Sequence, residues 1–429
     1  MPTLTNEGAV QNDRADILDI LRGIALLGIC LANYPVISLF IFQSDETRMA
    51  MNTAAIDTYL AYFHFTFLDG KFYSLFSLLF GVGFSIMMTR RQQTGINPLA
   101  IFYRRLFILM LIGLAHALLV WEGDILFLYA LLGMFLPLFR KMSDRALLTL
   151  WAILILSPLL FDGVKVITDG KWNLSNPLTS IGLRVDERIG INEANLGQWL
   201  ITHDSYTDVL HWCQSGFVWR WQDLINGNRL PKVLGMFLLG LFAGRRMIYA
   251  RLEENRSMLK KVQRICLWAG LPASLVHAYL ELDQRGLPSA IGMLDTLFYA
   301  LSVVPLSLFY ASTICLLYLN PVWKRRLLAF APIGRMALTN YVMQSLIGVF
   351  LFWGIGLALG AKTGLAWVMM ISVAVFTLQV VVSRIWLRYF NYGPLEWIWR
   401  QLTYGKRLAM RKPPDKGKIR NYGMTTNMK

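Results

Sequence analysis

The chain has 429 residues, 55% hydrophobic and only 16% charged, with a mean hydropathy of +0.46. Soluble globular domains of this size do not sustain that balance, so the class is excluded. The formal charge of +16 would suggest nucleic acid in a soluble chain. Here the Lys and Arg lie between apolar runs and in a basic tail, as topogenic charge does, and no nucleic-acid partner is expected.

A helix crosses hydrocarbon with about 20 apolar residues at 1.5 Å per residue. Ten runs approach that length: 20–42, 72–89, 106–122, 125–139, 147–163, 231–250, 265–282, 291–319, 333–359 and 364–391. The expected fold is all-α, a polytopic membrane helical bundle of about ten transmembrane helices with an outer helical lid and the lipid bilayer as its partner. The first run is long, follows Arg14, Asp16, Asp19 and Arg22, and lacks a small-residue cleavage site, so no cleavable signal peptide is expected. The expected organisation is an N-terminal tail (1–16), a first membrane bundle (17–163, spans one to five), an extracytoplasmic lid (164–230), a second membrane bundle (231–404, spans six to ten) and a basic tail (405–429). The basic tail reads as disordered and drawn to anionic head groups.

Residues 43–71 carry Tyr59, Tyr62, Phe63, His64, Phe65 and Phe67, a pattern that suits an interfacial or re-entrant helix better than a span. The lid holds Trp172, Trp199, Trp212, Trp219 and Trp221 among alternating charges, which suggests amphipathic helices. With the N-terminus inside, 31 of the 42 Lys and Arg fall on the inner side and 17 of the 26 carboxylates on the outer side. Both termini are therefore expected in the cytosol.

Residues 105–140 form an apolar hairpin bracketed by Arg105 and Arg140, with His116 inside one arm and Glu122, Gly123 and Asp124 at the bend. An ionisable group inside such an arm is costly unless it has a function or a partner. Asp124 follows His116 by about two turns. A neutral imidazole beside a carboxylate suits a general base, and a His satisfied by a carbonyl of another helix is the competing reading. Asp19 and Arg22 share a helix face at the inner end of span one. Asn33 lies about three turns beyond Arg22, either as part of a site or as interhelical glue. Lys71 opens span two, to hold an anion or to anchor the helix at the head groups.

The remaining polar residues are less specific. His203 and His211, spaced by eight, fit no zinc pattern, and the four Cys form neither a disulfide framework nor a metal motif, so no metal is expected. His64 and His277 read as packing residues. Gly81, Gly83, Gly113, Gly240 and Gly244 suit close helix approach. No phosphate-cradling loop is present and no bound cofactor is expected.

The chain resembles the YeiB-like bacterial inner-membrane proteins, a domain-of-unknown-function family placed among the transmembrane acyltransferases. The resemblance is carried by LDILRGIALLGICLAN (18–33), GKFYSLFSLLFGVGF (70–84), RRLFILMLIGLAHALLVWEGDILFLYALLG (104–133), PKVLGMFLLGLFAGR (231–245), GRMALTNYVMQSLIG (334–348) and YGPLEWIWRQLTYG (392–405). Its LDxxRG opening followed by Asn is similar to that of the lysosomal heparan-glucosaminide acetyltransferases, where the corresponding Asn belongs to the active site. The related sugar O-acyltransferases have His where this chain has Asn33, and Ser44 occupies the place of the acetyltransferases' outer-loop His.

The resemblance implies a bacterial inner-membrane location. It also implies transfer of an acyl group from cytosolic acyl-CoA, as co-substrate, to a hydroxyl or amine of an extracytoplasmic acceptor, an envelope glycan or lipid. In that reading Asp19 and Arg22 organise the inner mouth, Asn33 holds the thioester or oxyanion, and His116 with Asp124 deprotonates the acceptor. Arg90, Arg91, Arg104, Arg105 and Arg335 meet the polyanionic CoA, and Asn340, Tyr341 and Gln344 add polar contacts. A transporter or exporter, and a non-enzymatic structural or sensory envelope membrane protein whose lid binds a ligand or partner, are the alternatives. The absence of a convincing internal repeat favours the enzyme over a transporter.

Overall fold

In a computed structural model the structure describes residues 5–92, 98–282 and 286–413, with side chains described except at 5–15 and 90–92. The side chains of the expected cationic positions Arg90 and Arg91, and the end of the basic tail, lie outside what is described. Among the described residues the fold is all-α, with one isolated bridge between Phe390 and Arg411.

The first half comprises α1 (Thr5–Ile37), α2 (Asp45–Met49), α3 (Ala54–Phe63), α4 (Lys71–Gln92), α5 (Pro98–Leu119), α6 (Leu126–Gly133) and α7 (Asp144–Ile167). Then come α8 (Asn176–Ile189), α9 (Trp199–Thr202) and α10 (Tyr206–Asn226). The second half holds α11 (Arg229–Arg245), α12 (Arg256–Leu282), α13 (Ala290–Tyr318), α14 (Pro321–Leu327), α15 (Ala331–Arg335), α16 (Ala337–Phe352), α17 (Leu365–Tyr389) and α18 (Pro394–Tyr404).

Seven helical stretches are long and apolar enough to cross a membrane: Asp16–Ile37, Ala54–Thr89, Pro98–Leu119, Asp144–Ile167, Arg256–Leu282, Ala290–Tyr318 and Leu365–Tyr389. The other three expected spans correspond to α6, α11 and α16, of 8, 17 and 16 residues. Of these short helices α6 and α11 are walled by protein, while α16 leaves Met343, Leu346 and Phe350 exposed. Leu126, Leu128, Tyr129, Ala130, Leu132 and Gly133 of α6 are all buried, so α6 is not obliged to match the hydrocarbon thickness. The aromatic segment 54–68 is helical, with a π turn at His64–Leu68, and breaks at Asp69 and Gly70 before α4. Gly70 adopts φ +75 there, a conformation only glycine takes without strain.

The helix starts show how the chain satisfies backbone donors away from water. Asp57 accepts from the N–H groups of Leu365 and Ala366 at 3.0 and 2.8 Å and so caps α17. Glu396 does the same for Leu338 and Thr339 at the start of α16, at 2.7 and 3.0 Å. Orphan N–H groups are costly in apolar surroundings, which places these carboxylates where they are. Close helix approach rests on glycine: Gly81 and Gly240 lie against backbone of the facing helix between α4 and α11, and Gly23 and Gly334 do so between α1 and the segment around α15.

The chain alternates between two ends. At the basic end, Arg335 lies near Asp19, Trp399 donates to the Arg105 carbonyl at 2.9 Å, and Arg245 reaches the carbonyls of Phe139 and Met142 at 3.0 and 2.7 Å. At the opposite end α8, α9 and α10 form a lid over the interhelical turns. Gln43 donates to Gly197 O at 2.6 Å, Gly354 N to Leu200 O at 2.8 Å, and Tyr206 to Leu119 O at 2.9 Å. Trp199, Trp212 and Trp353 pack between lid and bundle.

Candidate functional site

The centre of the site is the turn between α5 and α6. The α5 helix ends at Leu119, three residues before the end of the expected span, and residues 120–125 form the turn under the lid. Gly113 lets the turn fold back, because a side chain there would run into Phe127 N and the Asp124 carboxylate. Asp124 divides its oxygens. Oδ1 accepts from Phe127 N at 2.7 Å and caps α6, and Oδ2 meets His116 Nδ1 at 2.8 Å. Both side chains are 2% exposed, and among the described residues His116 Nε2 has no hydrogen-bond partner.

Such a pair fixes a tautomer. With the proton on Nδ1 facing the carboxylate, Nε2 keeps a free lone pair, the arrangement of an oriented general base. Tyr341 of α16 lies over the imidazole, with ring centroids 5.3 Å apart. Its hydroxyl accepts from Ile125 N at 3.3 Å and donates to Gly123 O at 3.5 Å. A cavity of about 10 Å³, lined in part by Asp124, Glu122, Phe217, Arg220 and Trp221, adjoins the carboxylate. That is room for about one water molecule. Glu122 accepts from Trp212 of the lid at 3.2 Å, its other oxygen is unpartnered, and burial pushes its carboxyl up to about 7.

The other expected residues fall into separate groups. Asp19 and Arg22 form an ion pair of 2.7 Å at the basic end, with Arg335 in electrostatic reach. Asn33 is half-buried, and no hydrogen bond engages its side chain among the described residues. It continues the face of α1 that carries Leu26 and Ile29, and these pack in one cluster with Leu109, Leu126, Ala130 and Tyr341. His116 extends the face of α5 that carries Leu109, two turns further on.

Lys71 is fully buried and donates to Phe65 O at 2.5 Å. That corrects the head-group-anchor reading, because the ammonium is held by the π turn. Asn340 and Gln344 turn to α17. Asn340 Nδ2 donates to Ser383 at 2.9 Å and Gln344 Nε2 to Gln379 at 2.9 Å, while Gln344 Oε1 is left without a partner.

Sequence reasoning missed three clusters. His277, read as a packing residue, pairs through Nδ1 with Asp295 at 2.7 Å, and Glu281 lies close enough for the three to share an ion. Asp162, Lys165, Asn228 and Thr296 form a buried network, with Lys165, Asn228 and Thr296 each donating to Asp162 at 2.7 Å. Arg220, Arg229 and Lys232 gather near the lid. Most members come from different helices, and the local signal was confined to Asp162 and Lys165 on α7 and Arg229 and Lys232 on α11 at i, i+3 and to His277 and Glu281 on α12 at i, i+4.

The architecture and this pair define a polytopic helical membrane protein with a buried histidine–carboxylate centre beneath a lid. Residues 243–406 match a protein family described as "Protein of unknown function (DUF418)". The chain is 32% identical to uncharacterized protein YxaH of Bacillus subtilis (strain 168), over 94% of this chain and 96% of that one. It is 29% identical to uncharacterized protein YeiB of Escherichia coli (strain K12), over 91% and 96% of the two chains. It belongs to the YeiB-like DUF418 family. No solved structure matches it.

Proposed function

We propose that this protein is a transmembrane acyltransferase of the bacterial inner membrane, with both termini cytosolic, that moves an acyl group from cytosolic acyl-CoA to an extracytoplasmic hydroxyl or amine. The observation that carries this reading is the His116–Asp124 pair, with one imidazole nitrogen fixed by a carboxylate and the other unpartnered beneath a lid. His116 Nε2 takes the proton from the acceptor as its oxygen or nitrogen attacks the thioester carbonyl. The new ester or amide bond forms, the C–S bond breaks, and the proton leaves with the CoA thiol. Asp124 stabilises the transient imidazolium. The Asn33 amide donates to the developing oxyanion. Asp19, Arg22 and Arg335 receive the phosphates of CoA at the basic end, and Gln344 offers its free oxygen to the acceptor while Asn340 positions α16. Lys71 holds the segment before α4 near the acceptor.

The test is release of free CoA from acetyl-CoA by purified protein, with a search for an acylated envelope product in overexpressing cells. His116→Ala is expected to lower the rate by about 10²–10⁴; undiminished transfer removes the assignment. A transporter reading draws on the second buried pair, His277–Asp295. Substrate flux without CoA release selects it.

A further inference from the structure

The lid end is where topogenic charge should be scarce, since only 11 of the 42 Lys and Arg fall there on the sequence reading. Arg220, Arg229 and Lys232 nevertheless come together at this end, and orientation in the bilayer does not account for them. Arg220 lies in electrostatic reach of Arg229, and Arg229 of Lys232, so the three repel one another. Arg220 meets Asp223 at 3.3 Å, a carboxylate 55% exposed. No carboxylate lies within ion-pair distance of Arg229 or Lys232 among the described residues. Asp162 is in reach of Lys232 but is matched by Lys165, and Asp295 is hydrogen-bonded to His277. Asp69 and Asp223, with Glu281 in their reach, face these three cations and Lys71.

The cations are held in place by other means. The Arg229 guanidinium lies over the Tyr73 ring at 5.1 Å and the Lys232 ammonium over Tyr299 at 4.2 Å, and the two Tyr hydroxyls meet at 3.2 Å. Ring faces position a cation without consuming its hydrogen-bond donors. Both cations belong to the first turn of α11, where Asn228 turns its amide to Asp162 at 2.7 Å and caps nothing. The helix dipole adds to the same positive field. Arg220 connects this cluster to the His116–Asp124 centre. It lines the small cavity with Asp124, lies in reach of Asp124 and Tyr341, and leaves Nε buried without a partner.

We propose that Arg220, Arg229 and Lys232 bind the phosphate of a lipid acceptor's head group at the lid end and hold its hydroxyl or amine toward His116. This rests on the acyltransferase reading for the second clause alone. A lipid is favoured because the cluster lies where α10 ends and α11 starts, beside the start of α4, at one end of the bundle, and lipid phosphates lie at the bundle's ends. Three cations from two helices suit a tetrahedral, multiply charged group.

The experiment measures binding of dihexanoyl phosphatidate, dihexanoylglycerol and inorganic phosphate to the purified full chain in neutral detergent, followed by tryptophan fluorescence. Phosphatidate is expected to bind, to weaken with salt, and to lose at least about tenfold in affinity in the Arg229→Gln, Lys232→Gln double variant and in Arg220→Gln. The charge-conserving Arg229→Lys, Lys232→Arg double variant should retain binding, which separates lost charge from misfolding. Unchanged affinity in the Gln variants, or equal binding of the neutral glycerolipid, overturns the proposal. Inorganic phosphate binding as tightly as phosphatidate overturns the lipid source. His116→Ala should bind phosphatidate as the wild type does, so failure of the chemistry leaves the binding result standing.

Discussion

Asp124→Asn separates a chemical role for Asp124 from its role as a helix cap. An Asn at this position can still accept from Phe127 N, now 2.7 Å from Oδ1, so the start of α6 stays capped. Toward His116 the substitution inverts the hydrogen bond. The amide can only donate to Nδ1, which moves the imidazole proton to Nε2 and removes the lone pair that a general base needs. The hydrogen bond survives as a neutral one, and the loss is the difference between charge-assisted and neutral bonds, about 1 kcal/mol. The loss in transfer rate is that of a misassigned tautomer, about 10²–10⁴. The assay pairs CoA release with thermal unfolding in the same detergent. A large drop in rate with a near-native unfolding midpoint is expected. A rate within about threefold of wild type would refute the base assignment, and so would a rate loss that merely follows loss of folded protein.

Glu122 gives a dependence on pH. Burial raises its folded-state pKa to about 7, against a smaller opposing effect of the Trp212 hydrogen bond. Its neutral form is therefore the one the fold prefers, and its contribution to stability is present at acid pH and lost as pH rises through about 7. Unfolding monitored from pH 5 to 8 should show that fall, and Glu122→Gln should flatten it. Asp162→Ala removes the acceptor of three 2.7 Å hydrogen bonds and leaves Lys165 a buried cation with only the Asn226 carbonyl. A cost of about 3–5 kcal/mol, read as loss of folded protein in detergent, is expected. Gly334→Val forces a side chain into the backbone of α1 at Asp19. It should cost about 1–3 kcal/mol by unfolding, with Gly334→Ala milder.

The crossing segments were legible because hydrocarbon thickness imposes a length on apolar runs, and each of the ten expected runs holds a helix. The short helices α6 and α11 departed from that rule because they are surrounded by protein, so their length no longer reports on the bilayer, while α16 is short yet keeps Met343, Leu346 and Phe350 exposed. His116 and Asp124 were legible as a pair because eight residues cover the end of one helix and one turn, a separation that local geometry can close. Arg220 and Arg229 were not, because what gathers them is the packing of α10 on α11 and the rings of Tyr73 and Tyr299, 226 residues apart. Asn340 and Gln344 showed the opposite limit. Their polarity was evident, but only the neighbouring helix decides which amide atoms are spent, here on Ser383 and Gln379 of α17, and which, as Gln344 Oε1, stay open.

Three buried carboxylates cap helices in this bundle, and comparing them isolates what is particular to Asp124. Asp57 spends both oxygens on the first turn of α17 and on the Thr53 hydroxyl at 2.8 Å. Glu396 does likewise with Leu338, Thr339 and the Thr339 hydroxyl at 2.5 Å. Every partner of those two is a backbone N–H or a hydroxyl, groups that a cap alone would recruit. Asp124 needs only Oδ1 to cap α6, and its second oxygen is given to an imidazole whose far nitrogen is left bare. A purely structural His with its proton on Nδ1 would gain by accepting at Nε2 from a hydroxyl or N–H, as buried donors and acceptors find partners almost everywhere. His277, paired with Asp295, also keeps a bare Nε2. What sets the His116 position apart is that its carboxylate also caps a helix, beside Tyr341 and under a lid joined to the turn through Glu122 and Trp212, and a base waiting for a substrate hydroxyl requires such an open nitrogen.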